Sequence, residues 1–231
     1  MDSIPAPAAE RDGATWFASE RVDCWQCGAE HAPGPFCPAC KAIQPLPEQA
    51  DYFQVLGVSR RLALDATALQ QRYYDLHRRL HPDLFQTGPQ PARQASVRNT
   101  AAVNRAYRTL RDPVDRGLYW LTLRGESLGA GNKQVPSDMA ALVFELHDQL
   151  EELRAARQGN GAGRLVEELT AAHSELLERH SALLEQLERN FARWDAGTVA
   201  PDLLTRELKA ILSTLAYLGT LIRDVEKGLE T

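Results

Sequence analysis

The sequence predicts an all-α protein: a two-helix hairpin, then an antiparallel three-helix bundle, with a small four-cysteine zinc-binding module in front. Three observations predict it. Apolar residues recur at spacings of 3 and 4 through most of the chain after residue 51. Glycine and proline clusters cut these stripes into helix-length segments. All four cysteines fall within residues 21–45, as two C-x-x-C pairs. No strand signal or internal repeat occurs outside the cysteine region.

Residues 1–20 are rich in proline and alanine and lack periodicity, so they are expected to form a disordered tail. The metal module follows at 21–45. Cys24-x-x-Cys27 and Cys37-x-x-Cys40 are nine residues apart, and each pair can offer two thiolates from one tight turn. Together they complete a tetrahedral set. Gly28 sits after Cys27, where such a turn calls for positive φ. A closed four-sulfur shell leaves no open position for chemistry, which favours structural Zn2+; rubredoxin-type iron shares the spacing. Disulfides do not suit a reducing compartment, and no βαβ pattern supports a redox dithiol. A module this small lacks a core of its own, so metal should supply much of its folding energy.

Residues 51–125 read as the hairpin domain. Asp51-Tyr52-Phe53 and Val55 to Val58 form a short leading turn. Asp65 is a candidate N-cap, and Leu69, Tyr73, Leu76 and Leu80 make one stripe behind it. His81-Pro82-Asp83 follows as a stiff polar corner, because proline fixes φ and lacks an N–H. Gly88, Pro89 and Pro91 break the chain. A second helix then runs to about Leu110, with Val103, Tyr107 and Leu110 on one face, and Pro113 ends or redirects it. A glycine-rich loop at 124–135 leads into the bundle, residues 136–231.

Three stripes build that bundle. Met139, Leu142 or Val143, Leu146, Leu150 and Leu153 form the first. Leu165, Leu169, Ala172, Leu176, Leu183, Leu187, Phe191 and Trp194 form the second. Leu204, Leu208, Ile211, Leu215, Leu218, Ile222, Val225 and Leu229 form a sustained heptad seam. Connections at Gly159–Gly163 and Asp195–Pro201 are short enough to make neighbouring helices antiparallel.

Charge is unevenly spread. The net charge is −5, divided as −4 over residues 1–50, +6 over 51–125 and −7 over 126–231. The basic middle suits an acidic protein surface better than nucleic acid, since the acidic flanks would repel a long polyanion. A zinc-ribbon nucleic-acid binder is the competing class. Against it, the cysteine region holds one lysine and one arginine and lacks interleaved aromatic and basic residues. No apolar run reaches membrane-spanning length, no secretory signal pattern opens the chain, and a bacterial cytoplasmic protein without membrane contacts is expected.

The order of these pieces resembles the HscB family of J-proteins, in the branch with an N-terminal zinc module. The resemblance is carried by Cys24-Trp25-Gln26-Cys27-Gly28, Phe36-Cys37-Pro38-Ala39-Cys40, Asp51-Tyr52-Phe53, Leu80-His81-Pro82-Asp83, Asn104-Arg105-Ala106-Tyr107 and Arg116-Gly117-Leu118-Tyr119. It implies that residues 51–125 are a J-domain and that the protein is an adaptor, not an enzyme. The J-domain would dock on a DnaK/HscA-class ATP-dependent chaperone and stimulate its ATPase through His81, Pro82 and Asp83, with Arg72, Arg78 and Arg79 on the preceding helix. The bundle would bind an IscU-type iron–sulfur scaffold through Ala140, Ala141, Val143 or Leu142, Phe144 and Tyr217. Two of these positions are large and aliphatic in the family and alanine here. A J-domain serving another client is the remaining alternative.

Overall fold

The computed structural model describes residues 21–128, 139–156 and 162–230. The expected tail at 1–20 and most of the connection at Gly159–Gly163 lie outside them, as does most of the loop expected at 124–135. The regular elements of the described residues are helices apart from a pair of two-residue strands in the cysteine region, in agreement with the all-α expectation. They divide into two compact units between Asp112 and Pro113.

The first unit opens with strands β1 (Val22–Asp23) and β2 (Glu30–His31), antiparallel with Val22 opposite His31. Helix α1 (Tyr52–Leu56) starts in a capping box: Asp51 accepts from the Gln54 amide at 2.8 Å, and Gln54 Oε1 accepts from the Asp51 amide at 2.9 Å. Gly57 closes it at φ 71°. Helix α2 (Ala66–Leu80) is capped by Asp65, whose carboxylate accepts from the Ala68 amide at 2.9 Å. Helix α3 (Gln90–Arg111) returns alongside it.

The hairpin core is thin and close-packed. Helix α3 buries Ala92, Ala95 and Ala106, small residues that let the helices approach, with Val103 and Leu110. They face Leu69, Leu76 and Leu80 of α2 and Phe53, Val55 and Leu56 of α1, all buried. Tyr73 stacks on Tyr107 at 4.1 Å between ring centres, and its hydroxyl donates to Asn104 Oδ1 at 3.1 Å.

The second unit contains α4 (Pro113–Leu123), α5 (Ala140–Ala156), α6 (Ala162–Ala196) and α7 (Pro201–Glu230). The sequence places Pro113–Leu123 with the hairpin; the structure packs this helix on α6 and α7 instead. Two features of α4 explain the difference. Gly117 is buried against Leu208 and Leu212, where a Cβ would come within 3.2 Å of the Leu212 methyls. Arg116, also buried, reaches Glu188 at 3.0 Å and lies over the Phe191 ring. The bundle core follows the predicted stripes: Met139, Val143, Leu146, Leu150 and Leu153 meet Leu169 and Leu176 of α6 and Leu218, Leu221, Ile222 and Val225 of α7. Pro201 begins α7 after Gly197, which turns the chain at φ 65°.

Candidate functional site

Helix α2 ends at Leu80 because His81 precedes a proline and takes up an extended conformation, ψ 132°. Pro82 then starts a short 3-10 turn, Pro82–Phe85. The Leu80 carbonyl, in the last turn of α2 where no helical partner is available, accepts from Ser96 Oγ at 2.6 Å and Thr100 Oγ1 at 3.0 Å. Helix α3 therefore holds the base of the corner with two buried hydroxyls.

The corner itself stands in solvent, with side-chain exposures of 42% for His81 and 70% for Asp83. The Asp83 amide donates to His81 Nδ1 at 3.3 Å, and Asp83 Oδ2 lies 3.4 Å from the same nitrogen. The tip thus combines an imidazole, a carboxylate and the exposed Leu84 within four residues.

The three expected docking arginines differ. Arg78 is exposed and pairs with Asp75 at 2.7 Å. Arg79 is exposed and its guanidinium lies 4.5 Å over the Phe36 ring. Arg72 is half-buried, and its Nε donates to the Leu56 carbonyl at 2.7 Å. Burial, and then the nearby Arg79, push its pKa below the ordinary guanidinium value.

The cysteines converge as expected. Their four sulfurs lie within 4.8 Å of one another, with Cys24–Cys40 at 3.6 Å and Cys27–Cys37 at 3.9 Å. Ligands 2.3 Å from a tetrahedral zinc would be about 3.8 Å apart, whereas a disulfide requires about 2.05 Å. The residues present therefore fit a four-thiolate metal site. The knuckles repeat one turn: Gly28 N–H donates to Cys24 O at 2.9 Å, and Lys41 N–H to Cys37 O at 3.0 Å. Gly28 and the non-glycine Lys41 both take the left-handed conformation, at φ 70° and 64°. The Lys41 ammonium donates to the Pro38 carbonyl at 2.8 Å across the second turn. Burial raises the Cys24 thiol, but amide hydrogen bonds from Cys27 and Gln26 overcome this and bring it down to about 6. An amide from Ala42 lowers Cys40, yet burial and the neighbouring sulfurs drive it up to about 12.

Sequence reasoning missed the groups that hold this site in place. Gln44 is buried and donates from Nε2 to Cys24 Sγ at 3.2 Å and to the Ala42 carbonyl at 3.1 Å. Asn99, also buried, donates to the Gln44 carbonyl at 2.8 Å and accepts from the Leu46 amide at 3.0 Å. A polar Ser-x-x-Asn-Thr face inside an alanine-rich helix was the available signal for Ser96, Asn99 and Thr100.

On the bundle, Phe144 stands 74% exposed on α5. Val143, expected on the same patch, is buried in the core. Leu142 and Tyr217 are half-buried against that core. Burial, and then Asp224, raise the Tyr217 phenol above its usual range. Of Ala140 and Ala141 only the helical backbone at the start of α5 is described. Among the described residues, no helix is long and apolar enough to cross a membrane.

The DnaJ domain model matches residues 51–119. The chain is 32% identical over 181 residues to the human iron–sulfur cluster co-chaperone protein HscB, covering 76% of this chain and 75% of that protein. The mouse protein of the same description is 34% identical over 137 residues, 57% of this chain and 58% of its own. The crystal structure of human co-chaperone protein HscB superposes with a TM-score of 0.61 at 26% identity, covering 89% of this chain and 98% of that one. The chaperone HscB from Vibrio cholerae superposes at 0.56 and 25% identity, covering 77% and 96%.

Proposed function

The chain belongs to the HscB family of iron–sulfur cluster co-chaperones, and from that membership we propose that it is a non-enzymatic adaptor joining a chaperone to its client. The hairpin docks on a DnaK/HscA-class ATP-dependent chaperone and stimulates ATP hydrolysis by that partner. The bundle carries an IscU-type iron–sulfur scaffold to it, and cluster transfer follows. Linking both binding elements in one chain raises the effective concentration of scaffold at the chaperone. Zn2+ is the ion proposed for the four cysteines, where it holds the knuckles together without taking part in chemistry.

The observation that carries this reading is the exposed tip. His81 and Asp83 are presented to solvent on a turn whose base is fixed by two hydroxyls, as a pre-formed docking element should be. Arg78 and Arg79 add positive charge on the adjoining helix, which speeds and orients encounter with an acidic surface more than it tightens binding. Phe144 supplies an exposed aromatic anchor on the bundle.

Steady-state ATPase of the chaperone, measured with this protein, with the scaffold and with both, tests the proposal. The expected result is stimulation by the protein alone and a larger, more than additive stimulation with both. No stimulation by the protein at any concentration would remove the reading.

A further inference from the structure

The metal knuckle is tied to both legs of the hairpin. On one leg, Gln44 bonds the Cys24 sulfur through its side chain and Asn99 of α3 through its backbone carbonyl. Asn99 also receives the Leu46 amide, so residues 44 and 46 are both pinned to one α3 side chain. Ser96, Asn99 and Thr100 share a face of α3 at spacings of 3 and 4. Ser96 and Thr100 are the groups that hold the Leu80 carbonyl, one residue before His81. On the other leg, Phe36, adjacent to Cys37 and bridged to Ile43, lies against the Arg79 guanidinium two residues before His81.

Gln44 and Asn99 are buried, so each bond they lose leaves a polar group without water to replace it. A displacement of the knuckle is therefore resisted by α3 and passed to the turn that supports the tip. We propose that Gln44, Asn99 and Phe36 are positioning residues that couple metal occupancy of the knuckle to the geometry of His81-Pro82-Asp83, so that the metal-loaded protein presents its tip for chaperone docking and the metal-free protein presents it poorly. This rests on the docking function proposed above.

NMR of the zinc-loaded full chain provides a readout independent of activity. On removal of zinc by a chelator, the amides of His81, Asp83 and Leu84 and the carbonyl carbon of Leu80 should shift, and the Asn99 side-chain amide should lose exchange protection. Asn99→Ala and Phe36→Leu, both zinc-loaded, should move the same tip resonances. Their cobalt-substituted forms should keep the four-thiolate absorption of the parent, which shows that the metal site itself is intact. In the ATPase assay each variant should need a three- to tenfold higher concentration for half-maximal stimulation, at unchanged maximal rate. Tip resonances that stay in place in both loaded variants would overturn the coupling, even where metal removal unfolds the parent protein. His81→Gln separates the two claims: if it retains full stimulation the docking reading fails, whereas an inactive His81→Gln beside unmoved tip resonances in the other two defeats the coupling alone.

Discussion

Arg72 of α2 donates through Nε to the Leu56 carbonyl of α1 at 2.7 Å, tying the end of the first helix to the start of the hairpin. It sits on the face where basic docking residues were expected, yet its guanidinium is half-buried. Truncation should therefore act on the fold. Arg72→Ala is expected to cost about 1.5–3 kcal/mol of stability in a urea titration, the range for a lost hydrogen bond to a charged group. Arg78→Ala, removing an exposed side chain paired only within its own helix turn, should stay within about 0.5 kcal/mol of the parent. If Arg78 docks, its loss should raise the concentration needed for half-maximal ATPase stimulation and make that concentration less sensitive to salt.

The tip offers a cleaner separation of fold from function. His81 caps the 3-10 turn through a 3.3 Å contact in solvent, which contributes little to stability. His81→Gln should leave the melting temperature within about 2 °C, since near-neutral surface changes move it little. It should abolish stimulation of the chaperone and leave scaffold binding unchanged. A stimulated rate equal to that of the parent would mean that the tip is not the docking element.

These two sites show what was legible from the residues. Cysteine spacing, the His-Pro-Asp corner, the Asp65 cap and the leucine stripes are local or periodic patterns, and the structure places each in the form they predict. What escaped is the buried polar chemistry. Asn99 and Gln44 contact each other across 55 residues, and no period or motif announces such a pair. Arg72 and Arg78 are indistinguishable as letters on a helix; only the neighbouring Leu56 carbonyl separates them. Pro113–Leu123 reads as the tail of the hairpin because it follows directly in sequence, while its glycine and buried arginine commit it to α6 and α7. Val143 and Phe144 are adjacent apolar residues, and helical rotation sends one into the core and the other into solvent.

That last contrast sets a prediction for the bundle. Phe144→Ala removes an exposed ring and should change stability by less than about 0.5 kcal/mol. If the ring anchors the scaffold, binding measured by calorimetry should weaken at least tenfold, about 1.4 kcal/mol or more. Tyr217→Ala is a poorer probe, because its ring packs partly on the core and its loss would lower stability as well. Unchanged scaffold affinity in Phe144→Ala would move the interface away from this face of α5.

The four-sulfur cluster makes a stoichiometric prediction. Purified protein should hold one divalent metal per chain, and cobalt in its place should show the intense thiolate charge-transfer absorption of a four-sulfur site. Gln44→Met keeps the length of the side chain but deletes the N–H that points to Cys24 Sγ. It should shift that absorption and weaken metal binding by roughly 10-fold, as loss of outer hydrogen bonds does at comparable sites. A metal content well below one, in protein prepared without chelator, would contradict the assignment.

Two glycines of α7 give opposite expectations and so test the packing of the bundle directly. Gly228 faces α5, and a Cβ there would fall 2.3 Å from Leu150 Cδ2, well inside contact distance. Leu150 is itself buried, so it has little room to swing aside. Gly228→Ala should therefore force the helices apart or twist Leu150 off its rotamer, at about 1–3 kcal/mol. The gain in helix propensity, near 1 kcal/mol, offsets only part of this. Gly219 lies on the same helix with nothing within 4 Å of its would-be Cβ. Gly219→Ala should collect the propensity term alone and stabilise by about 0.5–1 kcal/mol. Denaturation followed by circular dichroism should place the parent between the two variants. If both variants were stabilised equally, α5 would not approach α7 at Gly228 as closely as the structure has it.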